Sequence, residues 1–572
     1  MERNYIIKVI PIQPLPPNSP DYFLYFYNEK IKVGSLVKID FQKKEQIGYV
    51  LDLEQVRDLK YFIKNLDYQI KPIKKVLTEN TPLTEYQKKL AFKLSRRYYL
   101  SLSHAFYLFL NFYKNFNFNF SLPDKIINKK ENFSLIVKNE FPFELIKNKK
   151  TLIVCPTLAD SEIWYSKLKN NIENLIYLKD LKNIPRYLND ILSNEKNVFI
   201  GNKKIIFLPW VNIEVIVVIK EGSLFYREFF KIPKINYLEI IEDYAKLFKC
   251  KLVYVDNFYS LNIYLNQKNI SLPQLDFSTF KDFSSLIRLI NPKTTNKIFI
   301  LQKSLGRKLI CLNCYYQFEC SHCGSYLTIF EDKLFCYQCH KDYPLINICP
   351  NCQKNDLSIK SIGKQWLRNF LINKGFQVYE INQKRDLKKI NKKIENGCII
   401  LGDWHILHLP TANSFFINFD IGFFSENIFL KEKYIRLAHC LKETSKNLFF
   451  HSRLNTQLLE KIRAGLIIKD IIEERAINKL PPFYYQIKIV SRLSNLQELN
   501  RRLINLKEEL KKRILFEKEE IEITGPFLER IFKIKKRYQM YLLIKSKNYL
   551  NLKKLLENLK YFEEIKFDDY DF

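Results

Sequence analysis

Mostly apolar segments of six or seven residues, each broken by one or two charged residues and set between polar turns, open the chain at Tyr5–Ile10, Leu36–Phe41 and Ile47–Leu53. The Pro-rich turn Pro14-Leu15-Pro16-Pro17, Gly34 and Gly48 punctuate them, the pattern of short strands, and a small β-barrel is expected. From 83 to 112 the period changes. Leu83, Leu90, Leu94, Tyr98 and Tyr99 fall on three- and four-residue steps, which predicts helix. The charged stretch Asn128–Asn132 then opens a region of alternating strands and helices, with strands expected at Thr151–Cys155, Val198–Ile200, Ile213–Ile219, Leu252–Val255 and Ile298–Leu301. Strands separated by helical stretches indicate a parallel α/β sheet. A second such region runs to about 455, with strands expected at Gln377–Ile381, Cys398–Gly402, Phe415–Phe419 and Asn447–Phe450. The end of the chain pairs strand Gln486–Ser491 with the charged helix 496–513, then strand Tyr541–Lys545 with helix Leu550–Leu559, which predicts a small α+β domain. No internal repeat is visible.

Size and charge narrow the reading. At 572 residues the chain is too long for one core, so several domains are expected. An apolar content of 47% excludes a largely disordered protein. The 93 Lys+Arg against 61 Asp+Glu leave a net charge of +32, and such an excess attracts polyanions, nucleic acid first among them. Compositional drift toward Lys, Asn and Ile exchanges Arg for Lys but does not by itself remove acidic residues. The longest aromatic run, Phe415–Leu430, is interrupted by Asp420 and Glu426, so no membrane span is expected. Met1-Glu2-Arg3-Asn4 lacks the pattern of an export signal, and a cytoplasmic, thiol-reducing location is expected.

Against that background the cysteines stand out. Eight of the twelve form four Cys-x-x-Cys pairs: Cys311/Cys314, Cys320/Cys323, Cys336/Cys339 and Cys349/Cys352. Each such turn offers two thiolates to one metal, and two turns complete a closed tetrahedral zinc site. Two Zn²⁺ per chain are therefore expected. The intervals between pairs are 5, 12 and 9 residues. The longest suits a hairpin returning the third pair to the second, which leaves the first and last to meet at its base. One zinc is thus expected on Cys311, Cys314, Cys349 and Cys352, the other on Cys320, Cys323, Cys336 and Cys339. His322 and His340 lie beside ligands, but four sulfurs already fill each shell. A disulfide framework is the alternative, disfavoured where thiols stay reduced.

The order of parts resembles the primosomal replication-restart helicase family (PriA, primosomal protein N′). The segment Cys311-Leu-Asn-Cys314, Cys320-Ser-His-Cys-Gly-Ser-Tyr-Leu-Thr328, Leu334-Phe-Cys-Tyr-Gln-Cys339 and Cys349-Pro-Asn-Cys352 is similar to that family's zinc insert pair by pair. Pro20-Asp21-Tyr22 with Gly34-Ser-Leu-Val-Lys38 resembles its 3′-end-binding barrel, and Arg97-Tyr98-Tyr99 its winged-helix module. Ile200-Gly201 through Lys204 and Phe207-Leu-Pro209 resemble a helicase-lobe motif, while Glu474-Arg475, Pro481-Pro482-Phe483, Gly525-Pro526 and Asp569-Tyr-Asp571 resemble its C-terminal domain. The resemblance implies a 3′-end-binding β-barrel at 1–78, a winged-helix-like module at 79–125, RecA-like helicase lobes at 126–280 and 281–455 with the double zinc-ribbon insert at 309–355, and a C-terminal α+β domain at 456–572.

Members of that family are ATP-driven 3′-to-5′ helicases, and this chemistry needs a Gly-rich phosphate loop with Lys and Ser/Thr. None of the 13 glycines forms that loop, and the only Gly-Lys, Gly363-Lys364, is followed by Gln365. Residues 128–150, where the loop belongs, contain no glycine, so the positive-φ turns that aim amides at phosphate lack their usual residue. Ile219-Lys220-Glu221-Gly222 stands where the family has Asp-Glu-Glu-His, and Lys220 would repel Mg²⁺. Gly402-Asp403-Trp404 and Leu437–Lys442 likewise lack the Gly-Arg residues that touch a γ-phosphate. Degenerate lobes without ATP or Mg²⁺ are expected. Other enzyme classes are not supported: His405-x-x-His408 lacks zinc-hydrolase spacing, no Gly-x-Ser-x-Gly occurs, and Cys155 and Cys440 read as core residues.

Binding is what remains. The candidate DNA contacts are Asp21 and Tyr22, for a 3′-OH or base amine and for stacking, Lys43 and Lys44 for phosphate, and the basic run Lys535, Lys536 and Arg537. In the family a Pro-Phe-Gly follows the second β run, where this chain has Asp40-Phe41-Gln42. The resemblance implies forked or single-stranded DNA, single-stranded-DNA-binding protein and other primosome components as partners, and a nucleoid-associated place in the cytoplasm. The expected function is recognition of stalled or abandoned forks and primosome assembly without ATPase activity. The alternatives are an active helicase with an unconventional ATP site and a scaffold without DNA affinity.

Overall fold

The computed structural model describes residues 5–16, 19–55, 70–98, 100–113, 133–179, 185–227, 235–267, 270–301, 309–314, 316–330, 333–336, 339–359, 362–383, 386, 397–424, 428–514, 521–534, 536–548, 552, 555 and 564–567. Among the expected features, Pro17, Tyr99, Asn128–Asn132, Lys535, Asp569–Asp571 and most of the helix 550–559 lie outside these residues. The chain divides into two compact units, Met1–Ser260 and Leu261–Phe572. Several sheets and helices in each make the molecule a multidomain α/β protein.

In the first unit, β1 (Tyr5–Pro11), β2 (Phe23–Tyr27), β3 (Leu36–Phe41), β4 (Lys44–Gln55), β5 (Lys71–Pro72) and β6 (Lys75–Thr78) form a sheet in the order β5-β2-β1-β4-β3-β6. The segment 71–78 closes this sheet on itself, because its first half pairs with β2 and its second half with β3. Ile73 donates to Phe26 and the next residue, Lys74, donates to Lys38 on the opposite edge. The segment thus covers part of both sheet edges, and Ile7, Val9, Val37, Ile39 and Val50 fill the interior. Strand β2 was not anticipated, since Phe23-Leu-Tyr-Phe-Tyr27 is apolar at every position and carries no alternation.

The helical pattern at 83–112 resolves into two helices, Glu85–Arg97 and Leu102–Leu110, because Ser101 caps the second by accepting from His104. Thr84 and Gln87 form a capping box on the first. The pair is a bracket. Its Ser101 and Phe106 hold the barrel through Leu15 and Tyr49. Its Gln87, Arg97 and Tyr98 hold Phe207, Asp243 and Glu239 of the following domain.

That domain is a sheet of β7 (Ser134–Lys138), β8 (Thr151–Cys155), β9 (Leu175–Tyr177), β10 (Val198–Asn202), β11 (Val215–Ile219) and β12 (Lys251–Val255), in the order β7-β12-β11-β8-β10-β9. Every pairing is parallel. All five residues of β8 and of β11 are buried, as a parallel sheet covered on both faces requires.

In the second unit β13 (Ser278–Phe280) and β14 (Asn296–Phe299) lead into an insert with β15 (Leu309–Cys311), β16 (Thr328–Phe330), β17 (Lys333–Phe335), β18 (Asp342–Pro344) and β19 (Leu357–Ile359). Then β20 (Val378–Ile381), β21 (Ile399–Gly402), β22 (Thr411–Phe416) and β23 (Ser445–His451) complete a second parallel sheet, ordered β13-β23-β22-β14-β21-β20. Three of its strands, β14, β22 and β23, begin earlier than their apolar residues indicate. Buried Lys297 on β14 donates to Leu409 and Thr444. Asn296, Asn413 and Asn447 bond one another across β14, β22 and β23. Hydrogen bonds thus bring polar residues inside. The C-terminal sheet, β25-β26-β24-β27, comprises β24 (Tyr485–Leu493), β25 (Ile521–Ile534), β26 (Arg537–Ser546) and β27 (Glu564–Phe567). Helix Leu496–Ile514 buries Leu499, Leu503, Leu506 and Leu510 against it. Among the described residues no helix is long and apolar enough to cross a membrane.

Candidate nucleic-acid and metal sites

The antiparallel order of the barrel collects the start of β2, the end of β1, the start of β4 and the end of β3 at one rim. Asp21 and Tyr22 stand there just before β2, and Lys43 and Lys44 lie in the turn joining β3 to β4. The rings of Phe23 and Phe41 meet at 4.8 Å and tie the two places together. Gln42 and Lys43 both take positive φ, 50° and 62°, between the paired Phe41 and Lys44. This is the backbone of a two-residue hairpin that glycine and asparagine usually fill, so Gln42 adopts the turn despite its side chain. Asp21, Lys43 and Lys44 are exposed and Tyr22 is half-buried. Sequence reasoning missed Lys8. Its ammonium stands 5.4 Å from the centroid of the Tyr22 ring and bonds Glu54 and Asp52. Glu54 first, and Asp52 against the cost of partial burial, raise the Lys8 pKa.

The insert gathers the cysteines into two groups, Cys311, Cys314, Cys349 and Cys352, and Cys320, Cys323, Cys336 and Cys339, with the sulfurs of each group within 4.8 Å of one another. Pairs come to 3.5 Å (Cys311–Cys352, Cys320–Cys339, Cys323–Cys336) and 3.6 Å (Cys314–Cys349). A disulfide would need about 2.05 Å. Four sulfurs at about 2.3 Å from a tetrahedral ion stand about 3.8 Å apart, close to what is found. His322 and His340 belong to neither group.

The knuckles repeat one backbone pattern. Gly324, His340 and Gln353, each following the second cysteine of a pair, have φ of 76°, 56° and 57° and donate to the carbonyl of the first cysteine at 2.8 Å. Backbone amides then aim at the sulfurs: Asn313 and Cys314 at Cys311, His322 and Cys323 at Cys320, Lys341 at Cys339, Lys354 at Cys352. Donors placed around sulfur favour the thiolate that a metal takes. The Asn351 side chain, first among the causes, brings Cys314 down to about 6. Against burial, the Tyr343 hydroxyl brings Cys320 to about 7, whereas burial pushes Cys311 up to about 11. The donor set, spacing and local turns fit two tetrahedral metal ions with closed shells.

The ends of β7, β11 and β12 carry a different chemistry. Beyond β7 the only helix before β8 is Phe143–Ile146, without a side-chain cap. Phe141 packs on Phe143 at 4.8 Å and on Trp164 at 5.8 Å, with Phe143 itself exposed. The Tyr259 hydroxyl donates to the Lys138 carbonyl at 2.5 Å. Ile219 is fully buried, and Lys220, at φ 55°, pairs with Asp160 at 3.3 Å. Glu221 accepts from Ser260, and Asp256 from Gly222, Asn257 and Phe258. These carboxylates serve neighbouring amides.

In the second unit Leu437–Lys442 lies within helix Phe429–Glu443. Arg436 pairs with Glu432 at 2.6 Å, and Glu432 also holds Arg475, which donates to the Pro481 carbonyl and covers the Phe429 ring. Glu474 pairs with Lys431. The Glu474-Arg475 motif is thus an internal clamp. Lys536, at φ 66°, and Arg537 are exposed at the β25–β26 turn, where Lys533 lies over the Tyr538 ring at 4.4 Å.

Comparison with known proteins starts from the barrel. The family model of the PriA 3′DNA-binding domain (3′BD) matches residues 12–111, through both bracket helices. Fold and match together define a multidomain protein with a domain of the DNA-end-binding type and two cysteine tetrads. Replication restart protein PriA of Borreliella burgdorferi is 25% identical over 70% of this chain and 65% of that protein. That of Helicobacter pylori strain 26695 is 23% identical over 62% of each, and that of Rickettsia felis is 21% identical over 92% of each. The chain is thus similar to the replication restart protein PriA family, in the barrel segment and along much of its length. It spans 65% and 62% of the length of the Borreliella and Helicobacter relatives. The solved structure of T4 UvsW aligns at a TM-score of 0.16 and 10% identity over 74% of this chain and 78% of that one, too low to bear on the fold.

Proposed function

We propose that this protein binds DNA at stalled or abandoned forks and assembles the replication-restart machinery there without turning over ATP. The observation that carries the DNA reading is the barrel rim, on which Asp21, Tyr22, Lys43 and Lys44 all stand, inside the segment matched by the 3′DNA-binding domain. An aromatic ring stacks on a terminal base for roughly 1–3 kcal/mol, a carboxylate accepts from a 3′-OH or base amine, and lysines take the adjacent phosphates. Lys536 and Arg537 form a second contact with the DNA backbone.

The two parallel sheets are degenerate helicase lobes kept as scaffold. Support comes from the crest of the first sheet: Phe141, Phe143 and Trp164 cluster beside it, Tyr259 caps Lys138, and Lys220 neutralises Asp160 where a Mg²⁺ site would need a carboxylate. Two zinc ions on the cysteine tetrads hold the insert folded, as closed structural sites do. Domain limits at 78, 125, 280 and 455, a winged-helix-like module at 79–125, contact with single-stranded-DNA-binding protein and other primosome components, and a nucleoid-associated place in the cytoplasm complete the proposal. The test is a forked-DNA ATPase and binding assay on one zinc-loaded preparation. Tight, salt-sensitive fork binding with no DNA-stimulated ATP turnover is expected. Turnover above the no-DNA background ends the scaffold reading, and absent or salt-insensitive binding ends the DNA reading.

A further inference from the structure

Lys8 is the one residue of β1 that is not fully buried, in a strand otherwise apolar throughout. The pairing of β1 with β4 shifts register between Lys8 and Val9, an irregularity of the kind that re-aims a side chain. Its ammonium bonds Asp52 at 3.1 Å and also Glu54, both on β4. A free lysine would sample many rotamers, but this one is pinned by two carboxylates on the same neighbouring strand. So pinned, it stands over the Tyr22 ring at 5.4 Å. A cation over an aromatic face is attracted by the ring quadrupole. With Lys8 over one face, a base would stack on the other. A ring held in this way is already ordered, and less freedom is lost when a nucleotide stacks on it.

We propose that Lys8, anchored by Asp52 and Glu54, is a positioning residue for capture of a strand's 3′ end, fixing the Tyr22 ring in the pose on which the terminal base stacks. This rests on the reading of the barrel rim as a 3′-end site. The experiment uses the full-length, zinc-loaded protein and fluorescence anisotropy on two forks, identical except that one ends in a 3′-OH and the other in a 3′-phosphate. The wild-type protein should prefer the 3′-OH fork. Lys8→Met should weaken binding of that fork by roughly 3- to 30-fold and leave the 3′-phosphate fork unchanged, while Lys8→Arg restores most of the preference. In a Tyr22→Leu background Lys8→Met should have no further effect, since the two residues act as one unit.

Equal binding by Lys8→Met and wild type, an equal loss on both forks, or additive losses with Tyr22→Leu would each overturn the proposal. A wild-type protein blind to the 3′ group overturns the rim reading itself, an outcome distinguishable from failure of Lys8 alone. Should Lys8→Met unfold the barrel, the triple change with Asp52→Asn and Glu54→Gln removes the unpaired carboxylates and is held to the same expected losses.

Discussion

Lys43 adopts φ 62° in the β3–β4 turn beside Gln42 at 50°, and left-handed backbone costs an L-residue roughly 1–2 kcal/mol. Lys43→Gly should therefore raise stability by about 0.5–1 kcal/mol, once the greater entropy of an unfolded glycine is subtracted. If Lys43 contacts phosphate as proposed, the same change should weaken fork binding and make its salt dependence shallower by about one unit. Urea unfolding and a salt titration of anisotropy read the two effects separately. A less stable variant would mean that the lysine side chain holds the turn. His439 makes a second prediction at this scale. Burial, with help from the nearby Arg436, depresses its pKa to about 3, while the unfolded chain titrates near its ordinary 6.5. The unfolded state then binds more protons between those values. Stability is fully present above 6.5 and is lost as pH falls toward 3, by up to a few kcal/mol. His439→Gln should flatten that part of the pH–stability curve, and unchanged acid sensitivity would place its source elsewhere.

Among the elements, the insert has the least core of its own. Phe318, Leu327 and Leu334 pack with buried cysteines, and its sheets have only two and three strands, which are marginal in water on their own. Structural zinc contributes on the order of 10–16 kcal/mol to the folding of small fingers. Chelation under reducing conditions should release two zinc equivalents and open 311–352 to proteolysis, while Met1–Ser260 keeps its melting transition. Survival of the insert without metal would assign its stability to packing. Cys336→Ser should release one equivalent only, since the two tetrads share no sulfur.

For the whole molecule, the bracket helices matter most. They bond the barrel on one side and the first parallel sheet on the other, so the closed barrel and the first parallel sheet belong to one compact unit. With Lys220 paired to Asp160 and Tyr259 bonded to the Lys138 carbonyl at the sheet crest, nucleotide should neither stabilise the protein nor alter fork affinity. Thermal shift with ATP and Mg²⁺ checks this. An upward shift beyond that of Mg²⁺ alone would reveal a surviving site. The charge of +32 should make fork affinity fall steeply with salt, with a log–log slope of about −0.9 per phosphate contacted on duplex DNA.

The sequence alone determined the elements whose information is local. Four Cys-x-x-Cys pairs with a long central gap define two tetrads, because a tetrahedral shell needs four sulfurs and the gap sets which turns can meet. Apolar runs such as Leu152–Cys155 and Val215–Ile219 define buried parallel strands, since both faces lie in a core. Polar strand starts escaped that reading. Lys297, Asn296 and Asn413 are buried because partners more than a hundred residues away satisfy them, and no local pattern encodes a distant partner. Only the tertiary structure closed the barrel through 71–78, used Tyr259 and Lys220 to seal the sheet crest, and brought Lys8 to Tyr22. Each of these depends on which strands become neighbours, a long-range outcome of packing that spacing along the chain does not contain.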